Sequence, residues 1–125
     1  MEQNLFKALI CDDSILIRKK LKDLLSANGY SEIYEAVNGQ DAVDKYKLNQ
    51  PNVVFMDIVM PIKTGIDAVK EILEFDNKAK IIMASSSGTK NNLREALEAG
   101  AFEFIQKPFE PEQILSIVNK LKKEA

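Results

Sequence analysis

Five short apolar runs divide the chain, at 6–11, 32–36, 53–57, 80–85 and 102–106. Near-continuous Val, Ile, Leu and Phe, without strict alternation, suits strands buried on both faces. The stretches between them carry a helical period instead. Ile17, Leu21, Leu24 and Leu25 fall at i, i+4, i+7 and i+8, with Ser14 as a cap and Gly29 as a stop. Ala42, Val43 and Tyr46 mark a second helix, and Ile66, Val69, Ile72 and Leu73 a third after a turn at Gly65. Leu93, Ala96 and Leu97 mark a fourth, ended by Gly100. Ile114, Ile117, Val118 and Leu121 mark a fifth, with Pro111 in its first turn and Lys120, Lys122 and Lys123 against the negative end of its dipole. This alternation predicts an α/β fold: a single doubly wound parallel sheet of five strands with right-handed crossovers and five helices. The pattern uses the whole chain, so residues 1–125 are expected to form one domain.

Four of the predicted strands run directly into polar groups. Asp12 and Asp13 follow the first, Asp57 ends the third, Ser85 the fourth, and Lys107 follows the fifth. In a parallel sheet all of them reach one carboxyl edge, where open α/β sheets bind their ligands. Taken singly, each has an ordinary role as a helix cap, a turn residue or a solvated lysine. Together they suggest chemistry. Clustered carboxylates repel one another, and a hard cation relieves that repulsion. Mg²⁺ takes one or two carboxylates plus waters and phosphate oxygens, which Asp13, Asp57 and a water-mediated Asp12 could supply. Asp57 could then attack phosphorus as a carboxylate nucleophile, with Lys107 and the Ser85 hydroxyl facing the charge that develops.

Composition narrows the options. The net charge of −2 gives no support for charge-driven nucleic-acid binding. No apolar stretch is long enough for membrane insertion, and the amino terminus lacks a secretory pattern, so a cytoplasmic protein is expected. The absence of His and the single Cys11 exclude Ser-His-Asp and Cys-His catalysis and the usual zinc sites. Cys11 lies in an apolar run and reads as a buried thiol.

At these residues the chain resembles the receiver domain of two-component response regulators, of the stand-alone chemotaxis (CheY-like) type. The resemblance rests on Leu-Ile-Cys-Asp-Asp-Ser near the start, Met-Asp-Ile-Val-Met-Pro with Gly65, Ser85 after the fourth strand, and Lys107-Pro108-Phe109. It implies a flavodoxin-like sheet in the order 2-1-3-4-5, an order known for that family and not contained in the spacing. It also implies roles. Asp57 would be the phosphoacceptor for a histidine kinase. Asp13, Asp57 and the backbone carbonyl of Val59 would bind Mg²⁺ directly, with Asp12 in an outer position. Lys107 would pair with the acceptor site and then with the phosphate, and its bond to Pro108 is often cis in the family. Ser85 would be the switch hydroxyl and Phe104 the switch aromatic. Lys90, Leu93, Leu97, Phe104, Gln106 and Ile117 would line a face for a downstream partner, such as a flagellar switch or a phosphorelay protein. A monomer that acts as a signalling domain, promoting only its own phosphorylation and dephosphorylation, is the expectation.

Three features depart from the family pattern. Lys63 and Thr64 stand where an apolar residue and Asp or Asn usually precede the glycine, which puts the conformation of that loop in question. Ser86 takes the place of a very small residue. Val59 and Ser87 flank the acceptor without an acid or amide to orient water, so slow self-dephosphorylation is expected. Other functions stay open at this level. A phosphorelay intermediate would pass its phosphoryl group to another histidine protein. An aspartate-nucleophile phosphatase would typically carry a second Asp at the position of Val59. A flavin-binding domain would need a hydroxyl- and Gly-rich loop where Asp12 and Asp13 lie.

Overall fold

The structure is a computed structural model that describes residues 6–86 and 90–124, apart from the side chains of Ser31, Lys90 and Glu124. Strands β1 (Phe6–Cys11), β2 (Tyr30–Ala36), β3 (Val53–Asp57), β4 (Ile81–Ser85) and β5 (Glu103–Gln106) alternate with five helices. These are α1 (Ile15–Ala27), α2 (Gly39–Asn49), α3 (Gly65–Phe75), α4 (Lys90–Ala99) and α5 (Pro111–Glu124). The strands form one parallel sheet in the order β2-β1-β3-β4-β5. Strand β2 begins two residues before the apolar run that marks it, because Tyr30 already pairs with Phe6 across a register shift.

Pleating sends alternate residues of each strand to opposite faces. Ala8 and Ile10 of β1, with Val53, Phe55, Ile82 and Ile105, pack against Leu21 and Leu25 of α1 and Ile114, Val118 and Leu121 of α5. Leu9 and Cys11, with Val54, Met56, Ile81 and Met83, pack against Ala42, Val43 and Tyr46 of α2 and Ala68, Val69 and Ile72 of α3. Each such large side chain contributes about 1.5–3 kcal/mol on burial. Cys11 is buried as expected, and burial pushes its thiol pKa up.

The predicted caps hold. Ser14 accepts from the Ile17 N–H at 3.3 Å, and Pro111 is the first residue of α5. On α4 Ala96 is buried, while Leu93 and Leu97 are 41% and 51% exposed. The i, i+4 spacing located the helix, which meets the core through the small side chains of Ala96 and Ala99.

Candidate functional site

All four strand-end groups reach the carboxyl edge that their positions predicted. β1 delivers Asp12, β3 ends in Asp57, β4 ends in Ser85, and Lys107 follows β5. Asp12, Asp57 and Ser85 are buried, whereas Asp13 is exposed. One carboxylate oxygen from each of Asp12, Asp13 and Asp57 lies within 4.8 Å of the others. Lys107 Nζ donates to Asp12 Oδ2 at 2.6 Å and stands 3.4 Å from Asp57 Oδ1. The lysine therefore bridges the two buried acids and pairs more closely with Asp12. The Lys107–Pro108 peptide bond is cis, as the resemblance implied.

Burial raises the pKa of Asp57, and the neighbouring Asp12 charge raises it further. Lys107 and the Val59 N–H, which donates to the Asp57 carboxylate, pull it back only in part. The site thus holds more negative charge than its one lysine offsets. Three oxygen donors that repel one another at this range fit a small hard cation such as Mg²⁺. Beneath them lies a void of about 10 Å³, lined by Ile17, Leu21, Phe55, Ile105 and Phe109 among others. It has room for about one water at most, so the acids stand on a packed floor.

The loop after Asp57 shows how the unusual Lys63-Thr64 pair is accommodated. Thr64 Oγ1 accepts from the Asp67 N–H at 3.2 Å and caps α3, a role that Asp or Asn can also fill. Lys63 turns its ammonium to Glu71 on α3. Its backbone carbonyl lies against Gly39, where an added Cβ would fall 2.0 Å from the oxygen. Gly65 likewise lets the chain pass the Asp57 carbonyl, and its N–H donates to Ile58 O at 2.9 Å. Between them Ile62 takes a φ of +70°, a conformation that a β-branched residue rarely adopts.

The other expected residues are distributed around this centre. Val59 is exposed at the mouth. Ser86 is exposed, and Ser87 lies outside the described residues. Phe104 is partly buried against the core and pairs in register with Met83. Phe104 and Ile117 together line a shallow depression of about 250 Å³ with Glu103, Ile105, Gln113 and Ser116. Gln106 is exposed, and Leu93 and Leu97 project from α4, but none of the three lines that depression. The side chain of Lys90 lies outside the described residues.

Sequence reasoning overlooked Arg18. Its Nη1 donates to the Asp12 carbonyl oxygen at 2.8 Å, and its Nε donates to Glu35 Oε1 at 2.9 Å. A basic residue on α1 carries no periodic signal of such a contact.

Comparison with known proteins agrees with this geometry. Residues 8–119 match the response regulator receiver domain family. The chain is 46% identical to the chemotaxis protein CheY of Thermotoga maritima over 117 residues, covering 94% of this chain and 98% of that one. It is 45% identical to the Bacillus subtilis protein of the same name, covering 91% and 95%. Among solved structures it resembles the CheX-CheY-BeF3-Mg complex of Borrelia burgdorferi. There the TM-score is 0.88 at 36% identity, over 93% of this chain and 88% of that one.

Proposed function

Because the chain belongs to the response regulator receiver family, we propose that it is a chemotaxis signalling protein switched by phosphorylation of Asp57. The observation that carries this reading is one pocket in which Asp57 ends its strand beside Asp12, Asp13 and Lys107. The family and the CheY relatives support phosphorylation-dependent signalling. The Borrelia CheY, whose structure contains BeF3 and Mg²⁺, supports the same use of this pocket.

In this reading an Asp57 carboxylate oxygen attacks the phosphorus of a histidine kinase's phosphohistidine. The N–P bond breaks as the O–P bond forms, and the released imidazole keeps its electron pair and takes a proton from solvent. Asp13, Asp57 and the Val59 carbonyl would hold Mg²⁺, with Asp12 acting through water, and the ion would neutralise charge on the phosphoryl oxygens. Lys107 already stands between the acids and needs only a small shift to reach the new phosphoryl group. Ser85 would report occupancy by moving its hydroxyl towards the phosphoryl group, and Phe104 would follow into the vacated space. The altered face around Phe104, Leu93, Leu97, Gln106 and Ile117, together with Lys90, would then bind a downstream protein such as a flagellar switch component. Val59, exposed and apolar, offers nothing to orient a hydrolytic water. We therefore expect the phosphorylated form to decay more slowly than regulators with an acid or amide at that position, measured side by side. No described helix is long and apolar enough to cross a membrane. We further propose that residues 1–125 act as one receiver domain, as a monomer in the cytoplasm.

Intact mass after incubation with Mg²⁺ and a small phosphodonor tests the centre of this reading. The wild type should gain one phosphoryl group, and Asp57→Asn should gain none. An adduct of undiminished yield on Asp57→Asn would overturn the assignment.

A further inference from the structure

The described hydrogen bonds hold Asp12 on every side. Its N–H donates to Ala36 O of β2 at 3.1 Å, its Oδ1 accepts from the Ser14 N–H at 2.9 Å, and its Oδ2 accepts from Lys107. Its carbonyl oxygen, the acceptor of the peptide that leads into Asp13, accepts from Arg18 Nη1. That guanidinium side chain is only 12% exposed, and its Nε is fixed by Glu35 on β2. Glu35 is itself anchored: Lys22 Nζ stands 3.5 Å from its other carboxylate oxygen, and Lys45 donates to its backbone carbonyl. The planar fork of arginine suits this bridge, because two of its donors reach two different acceptors at a fixed angle. An arginine placed to neutralise the acid cluster would turn its fork towards the carboxylates. The bonds recorded for Arg18 go elsewhere, to a backbone carbonyl and to Glu35.

We infer that Arg18 is a positioning residue: with Glu35, it sets the Asp12–Asp13 peptide plane and so aims the exposed Asp13 carboxylate into the cation site. The inference rests on the reading of Asp12, Asp13 and Asp57 as a Mg²⁺ site. Its sign distinguishes it from simple electrostatics. Removing a positive charge near a cation site, through charge alone, tightens binding of the cation. Removing a residue that holds the ligands in place weakens it, commonly by ten-fold or more.

Titration calorimetry with Mg²⁺ on the unphosphorylated protein reads this directly, with amide NMR shifts of Asp13 as a second probe. Arg18→Met should weaken Mg²⁺ binding about ten-fold and move the Asp13 amide resonance before any metal is added. Arg18→Lys keeps the charge but cannot span both acceptors, so it should weaken binding by a smaller factor, roughly three-fold. If Arg18→Met fails to fold, the Arg18→Lys result alone decides. Unchanged or tighter binding in the folded variants would overturn the inference. A wild type that binds no Mg²⁺ would instead overturn the metal reading beneath it.

Discussion

Asp12 has bonding partners on β2, on α1, in the turn before α1 and after β5, whereas α4 rests on the core through Ala96 while Leu93 and Leu97 face outward. The first arrangement fixes a carboxylate from several directions. The second leaves a helix that meets the core through small side chains and presents its leucines outward. Chemistry at a charged site gains from groups that need no rearrangement. A signal, by contrast, needs an element with two arrangements of similar energy. In the proposed switch the two requirements would fall on different strand ends and helices of one sheet.

The largest effect should come from setting the floor of the pocket against the surface of α4. Leu21 is buried on α1 and lines the void under Asp12, Asp57 and Lys107. Leu21→Ala should cost about 3 kcal/mol in urea unfolding, the usual scale for a buried leucine. Leu97→Ala, at a half-exposed position, should stay within about 0.5 kcal/mol. A Leu97→Ala variant that loses as much as Leu21→Ala would erase the contrast, because it would mean that α4 is as firmly seated as the acid pocket.

The parts legible in the sequence are those with a local signal. Continuous apolar runs marked five strands, and the 3.6 period marked five helices. The strand ends alone place Asp12, Asp57, Ser85 and Lys107 at one edge of a parallel sheet. The sheet order came from the family resemblance, since apolar runs do not say which strands pair. Along α4 the spacing of Leu93, Ala96 and Leu97 located the helix but did not say which of its residues meet the core; Ala96 and Ala99 do, while Leu93 and Leu97 are exposed. Pairings between distant elements left no trace at all. Arg18 with Glu35, and Tyr46 Oη donating to Asp76 Oδ2 at 2.7 Å, join polar residues whose partners depend on tertiary placement. The Lys63-Thr64 departure was visible, but its solution was not, because Glu71 and Gly39 approach the loop from separate helices.

A smaller effect probes the charge imbalance of the pocket. Burial, then Asp12, raise the pKa of Asp57 above its ordinary value of 3.8. A carboxyl whose folded pKa is raised is penalised in its charged form. The penalty is present at any pH above the folded value and vanishes as pH falls below the unfolded one. Asp57→Asn keeps the shape and removes the charge, and Lys107 retains Asp12 as a partner. In EDTA at pH 7 the variant should therefore be more stable than wild type, on the order of 1 kcal/mol, the common scale of a single replacement. The gain should shrink as pH is lowered towards the ordinary carboxylate range. It should also shrink with saturating Mg²⁺, which stabilises the wild type by binding its folded state. Glu98→Gln on α4 removes the same charge from an exposed position and should change stability by less than about 0.5 kcal/mol at either pH. If Asp57→Asn is no more stable than wild type in EDTA at neutral pH, the acids are not in conflict, and the pocket's demand for a cation loses its physical basis.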